Sequence, residues 1–273
     1  MGRAVVDAHL HIWDLERSDY AWLIPEYGPL YATYTPEQAH AELEAAGIGA
    51  AVLVQAEDSE RDTELMLEAA GRHPWIAGVV GWVRLDDPPV AEEQLEPLCG
   101  VRHLVHDDPR DDFLLLPAVR ESLRLLAERG IPFDVPDAWP RHLVATADLA
   151  AALPELRIVV DHLGKPPFGG ADWDRWRATL SDVAARPNTV AKVSGLQVPG
   201  RPFTTDQVRP AWEVALELFG PERLMWGSDW PITVLVGGYG HAWDVMSSLV
   251  AELSPDEQER ILSGTATSVY GLA

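Results

Sequence analysis

The chain has 273 residues, 47% of them hydrophobic, which is enough to bury a core in one large domain or two small ones and excludes global disorder. A formal charge of −22 repels phosphate backbones and anionic lipids, which argues against nucleic-acid and membrane-surface partners. A single cysteine, Cys99, excludes an internal disulfide and any cysteine-based zinc or iron–sulfur centre.

In chain order, short β-branched runs alternate with longer amphipathic stretches. A predicted strand over Val5–His11 leads, through an aromatic and proline-rich segment over 13–34, to a helix over Pro36–Ala46. Strand Ala50–Gln55 precedes helix Glu60–Arg72, and strands Ile76–Val83 and Val101–Val105 precede helix Pro117–Arg129. In that helix Val119, Leu123, Leu125 and Leu126 are expected to share one face, and Gly130 supplies the stop. The alternation continues with strand Pro132–Val135 and helix Arg141–Leu153, then strand Arg157–His162 and helix Ala171–Ala185. Strand Thr189–Val193 with helix Thr205–Phe219, and strand Leu224–Ser228 with a last helix over Pro255–Leu262, complete the series.

Eight such units, in a chain slightly longer than the roughly 250 residues typical of the fold, predict a single-domain (β/α)8 TIM barrel over residues 1–273. The strands are apolar throughout, as strands buried on both faces should be. No Gly-x-Gly-x-x-Gly loop follows any strand, which disfavours an open doubly wound sheet. The 13–34 segment is too long for an ordinary connection after the first strand and reads as a lid or wall over the active face. The opening residues lack a secretory pattern, and no stretch approaches the roughly 20 apolar residues of a membrane span, so a cytoplasmic protein is expected.

The first strand ends in Asp7-Ala-His9-Leu-His11, and residues two apart on a strand point the same way. Both imidazoles therefore project together where barrel active sites are built, as half of a metal site or as a polar pair for a substrate carbonyl. His162 closes the sixth run before Gly164 and Pro166, and Asp229 follows the eighth before Trp230-Pro231. Each alone reads as a turn or a cap. On strands one, six and eight of a closed barrel, His9, His11, His162 and Asp229 can share one lumen. Such a set can hold one divalent ion, for which zinc suits the nitrogen and oxygen donors best and manganese is an alternative.

The segments Asp7-Ala-His-Leu-His-Ile-Trp-Asp14, Asp161-His-Leu-Gly-Lys-Pro166, Lys192-Val-Ser-Gly-Leu196 and Met225-Trp-Gly-Ser-Asp-Trp-Pro231 resemble the amidohydrolase superfamily. More narrowly, they resemble its amidohydrolase-2 branch of sugar and pyrone lactonases. Asp19-Tyr-Ala-Trp-Leu23, Gly78-Val-Val-Gly-Trp-Val83 and Gly100-Val-Arg-His103 extend the likeness over nearly the whole chain. The resemblance implies a barrel that hydrolyses a lactone ring, either with a metal or without one. Two departures stand out: Thr265-Ala266 where the branch has Asn-Ala, and His106-Asp107-Asp108-Pro109 in place of its acidic motif after the fourth strand.

Many members of the superfamily bridge two metals with a carboxylated lysine on strand four. Here the only lysines are Lys165, after strand six, and Lys192, in strand seven, so a lysine-bridged binuclear centre is not expected. Asp229, a carboxylate at the mouth of the last strand that can face the pair of imidazoles, is then expected to take a proton from water and return it to the leaving hydroxyl. His9, His11 and His162, or a metal they bind, would hold the oxyanion. Trp13, Gln55, Trp82, Arg84, Arg102, His106 and Trp230, at or after strand ends, are candidates to bind a small-molecule lactone; the tryptophans offer apolar faces to a sugar ring and the arginines a planar fork. A decarboxylase on the same scaffold, or a catalytically silent binding barrel, are the alternative readings.

Overall fold

The computed structural model describes residues 5–273. The opening residues 1–4, part of the stretch in which a secretory pattern was sought, lie outside it. Eight parallel strands run β1 (Val6–Leu10), β2 (Ala50–Val54), β3 (Ile76–Gly81), β4 (Gly100–Arg102), β5 (Phe133–Val135), β6 (Ile158–Val160), β7 (Thr189–Val193) and β8 (Leu224–Trp226), each paired with the next in sequence. Helices alternate with them, so the architecture is the expected (β/α)8 barrel.

Local signals explain several of the helices. In α1 (Pro36–Ala46), Thr35 and Gln38 form a reciprocal capping box, Pro36 takes the first turn, and Gly47 leaves in the left-handed conformation. The remaining early helices are α2 (Glu60–Ala70), capped by Ser59, and α3 (Pro88–Gln94). In α4 (Pro117–Arg129), Val119, Leu123 and Leu126 form the buried face and Gly130 ends the helix at φ 68°. Next come α5 (Leu143–Ala152), α6 (Trp173–Ala184), α7 (Thr205–Phe219) and α8 (Gly238–Val250). The last predicted helix stops early: α9 (Pro255–Glu259) passes through a π turn over Arg260–Gly264 into α10 (Thr265–Tyr270). Among the described residues no helix is long and apolar enough to cross a membrane.

The strands contribute to two layers of core, because successive strand residues face opposite ways, and Trp13, Tyr20, Leu23 and Leu30 form a third, smaller cluster. Leu53, Val79, Val101, Val135 and Val193 pack outward against the helices. Val52, Val54, Val80, Val159, Val190 and Met225 form the second layer, joined by Val269 and Tyr270 of α10.

Closure between β8 and β1 is made by few bonds. The Asp229 N–H donates to the His9 carbonyl at 2.8 Å, and the His11 N–H donates to the Trp230 carbonyl at 2.8 Å. The register of β1 on β2 slips by one residue between Asp7 and Leu10. Asp7 and His9 accordingly serve different neighbours. The Asp7 carboxylate accepts from the Ser228 N–H at 2.9 Å and from the Tyr239 hydroxyl of α8 at 3.0 Å, whereas His9 meets Lys192 of β7. Gly227 lets the two strands approach, since a Cβ there would lie 2.5 Å from the Cβ of His9.

Candidate active site

Four residues from three strands meet at the C-terminal end of the barrel. His9 lies in β1 and His11 just beyond it, their rings 4.8 Å apart and the two Nε2 atoms at 3.1 Å. The strands predicted through His162 and Ser228 in fact stop at Val160 and Trp226. His162 and Asp229 sit on the turns that follow, with φ of 56° and 57° in the left-handed region. That conformation swings each side chain back over the lumen, where an extended backbone would carry it past. Aspartate tolerates the region better than most residues, while histidine there stores strain of the kind found at functional sites.

Asp229 is the centre of the group. Its Oδ1 lies 3.5 Å from His11 Nε2 and 3.8 Å from the Nε2 atoms of both His9 and His162. Its Oδ2 accepts from Gln197 Nε2 at 2.9 Å, which fixes the carboxylate plane. Burial works against ionisation of Asp229, but the imidazoles, His162 foremost, outweigh it and hold the group well below the usual carboxylate range. Burial keeps His9 and His162 below their ordinary values, against the pull of Asp161 on the first and Asp229 on the second. At neutral pH the carboxylate thus faces neutral imidazoles at His9 and His162.

Beneath it lies a floor of buried charge. Lys192 Nζ stands 2.7 Å from Asp134 Oδ2, 3.0 Å from Asp161 Oδ1 and 3.1 Å from His9 Nδ1. Arg102 donates to Asp161 Oδ2 at 3.0 Å and to the Gln55 carbonyl at 2.5 Å. Burial opposes ionisation of Asp161, yet Lys192, His9 and Arg102 together hold it well below the ordinary value. Gly195, at φ 58°, is needed beside this group because a Cβ there would overlap the His162 ring.

The donor set fits a metal ion. His9, His11 and Asp229 each offer one ligand atom, all within 4.8 Å of one another. His11 Nδ1 is bonded to the Val54 carbonyl at 2.7 Å, where it must donate, so its Nε2 carries a free lone pair. Asp161 Oδ1 stands 3.4 Å from His9 Nδ1 and 3.0 Å from Lys192 Nζ, so one carboxylate oxygen faces both the imidazole and the ammonium.

A cavity of about 320 Å³ opens above the group. His11, His162, Asp229 and Arg102 form its base, and Lys165, Asp137, Asp107 and His106 form one wall. Trp22 and Tyr27 line it from the 13–34 segment, together with Ile232. Of the seven candidate substrate contacts, Arg102 and His106 line this cavity and five do not. Trp13 is fully buried behind His11, packed against Tyr20, Trp22 and Tyr34 with its indole N–H on the Ala32 carbonyl. Trp230 is buried against Tyr34. Gln55 donates to Asp58 at 3.0 Å from a fully buried position. Trp82 and Arg84 line a separate acidic cleft with Asp19, Glu57 and Asp58, where Arg84 faces Glu60 at 3.8 Å.

Several functional neighbours carried little sequence signal. Asp161 was visible only as the residue before His162, and Asp134 only as an acid in a strand. Gln197 and Asp137 sit in loops with no pattern at all.

With this geometry in view, comparisons place the chain among known proteins. The family model of the amidohydrolases matches residues 6–272. An L-fucono-1,5-lactonase of Burkholderia ambifaria is 32% identical over 97% of this chain and 94% of its own. One from Burkholderia multivorans is 33% identical over 100% of this chain and 97% of its own. The crystal structure of a Burkholderia multivorans amidohydrolase with bound zinc superposes with a TM-score of 0.91 at 31% identity, covering 99% of this chain and all of that one.

Proposed function

The chain belongs to the amidohydrolase family, and from that premise we propose that it hydrolyses the ring ester of a sugar-acid lactone. The observation that carries the reading is Asp229 Oδ1 at 3.5–3.8 Å from three imidazole Nε2 atoms at the base of a cavity. Full-length similarity to two L-fucono-1,5-lactonases supports it.

Ester hydrolysis needs a positioned water, an acceptor for its proton and donors for the oxyanion. The Asp229 carboxylate, held in place by the Gln197 amide, takes the proton. The same carboxyl group then returns it to the ring oxygen as the C–O bond breaks. His9, His11 and Asp229, with His162 alongside, would hold a divalent ion, zinc by donor chemistry, which when bound would acidify a water and polarise the lactone carbonyl. His162, whose Nδ1 shares a hydrogen bond with Ser194 Oγ at 2.8 Å, presents its Nε2 to the reacting carbonyl. Arg102, at the cavity base, is paired with Asp161 and keeps that carboxylate in place beside His9.

The site is read as mononuclear. Lys192 lies in β7 and is engaged by two aspartates, while the β4 position facing the lumen is Arg102. The substrate is then a small molecule of sugar-acid breakdown, handled in the cytoplasm without nucleic-acid or membrane partners.

A panel of five- and six-membered sugar lactones, followed by proton release with and without a chelator, tests the reading. Opening of at least one sugar lactone is expected, slowed by the chelator. A folded protein that opens none of them, or that releases carbon dioxide from a carboxylated aromatic instead, contradicts it.

A further inference from the structure

Among the described residues five non-glycine residues have φ in the left-handed region: Asp137, His162, Leu163, Lys165 and Asp229. Four of them, all but Leu163, line the active cavity. His162 and Asp229 already have parts in the reaction. Asp137 and Lys165 share the backbone conformation and the cavity but have none. They come from different turns, after β5 and after β6, and face each other with Lys165 Nζ 3.7 Å from Asp137 Oδ2. The other oxygen, Asp137 Oδ1, is buried and has no hydrogen-bond partner. His106 Nδ1, on the same wall, is also buried without a partner.

A buried carboxylate oxygen with no donor is costly unless something arrives to donate to it. The geometry points to Asp137, held by Lys165, as a specificity-determining residue whose Oδ1 accepts a hydrogen bond from a ring hydroxyl of the lactone. This rests on the lactonase reading and narrows it. A carboxylate can accept but not donate, so the wall selects hydroxylated, uncharged lactones. It disfavours a lactone bearing a further carboxylate, because Asp107, Asp137 and Asp229 line the cavity and the two cations there are already engaged, Arg102 with Asp161 and Lys165 with Asp137. His106 Nδ1 offers a second polar contact beside it.

The test uses the whole enzyme, a sugar lactone that it opens, and the set of monodeoxy analogues each lacking one hydroxyl. Wild type should lose about 10–100-fold in kcat/KM on one analogue, mostly through KM. Asp137→Ala should lose a similar factor on the parent lactone and then treat parent and that analogue alike. Asp137→Asn, which keeps a carbonyl acceptor and the residue's shape, should fall between them and guards against an alanine variant that folds poorly. If wild type handles every analogue as well as the parent, or if both variants still discriminate as wild type does, the assignment is overturned. Failure of wild type on every lactone would instead overturn the lactonase reading, so the two failures are told apart.

Discussion

The floor of the barrel and its mouth both concentrate charge, but the backbone carries that charge in different ways. On the floor, Lys192, Asp134 and Arg102 project from strands, and Asp161 directly follows one; opposite charges lie within 2.7–3.0 Å of each other. At the mouth, His162, Asp229, Asp137 and Lys165 project from left-handed turns; unpartnered polar atoms occur in both regions, Asp137 Oδ1 and His106 Nδ1 in the wall and Asp134 Oδ1 and Arg102 Nε on the floor. Regular strands give a fixed counter-charge that holds His9 from below. Irregular turns give reach over the lumen, at a backbone cost that only surrounding structure can sustain. A buried ion pair adds little over apolar packing, but removing one partner leaves an uncompensated buried charge, so the floor both holds His9 and is costly to disrupt.

The contrast predicts that changes at the mouth cost activity and changes on the floor cost stability. Asp229→Asn removes the proton acceptor and should lower kcat by about 10²–10⁴-fold, read as the rate of proton release on a sugar lactone. Loss of less than tenfold would move the acceptor role elsewhere. Lys192→Met should act the other way. It leaves Asp134 and Asp161 buried without their shared cation, which costs about 3–5 kcal/mol and lowers the melting temperature by on the order of 10 °C. A melting temperature within about 2 °C of wild type would show that the floor is not a charge cluster. Gly195→Ala forces a Cβ onto the His162 ring at φ 58° and should cost about 10–100-fold in kcat. Unchanged kinetics would show that His162 needs no such clearance. Arg84→Ala, in the separate acidic cleft, should change kcat/KM by less than about twofold, because that side chain is half exposed and faces only Glu60. A larger fall would bring that cleft into the substrate path.

The barrel was legible because strand and helix periods alternate cleanly, and because caps such as Thr35 and stops such as Gly130 mark the boundaries. Helices α3 and α8 escaped notice for a physical reason. Pro88-Pro89 and Gly237-Gly238 look like breakers, yet proline is tolerated in a first turn and glycine at a helix start. The four central site residues were readable from strand-end position, although two of them stand on turns just past the strands. The wall of the cavity was less readable. Trp13 and Trp230 look like sugar-stacking residues at strand ends, but Tyr20 and Tyr34 draw them into an aromatic cluster behind the site. The rings that do line the cavity, Trp22 and Tyr27, come from the segment read as a lid or wall, where no period fixes which way a side chain points.

The most direct test of the account is a crystal structure of Asp229→Asn with a sugar lactone bound. The account predicts the lactone carbonyl carbon over the imidazoles of His9, His11 and His162, with ring hydroxyls against the wall of Asp137 and His106. A lactone bound instead in the acidic cleft beside Arg84 would contradict it.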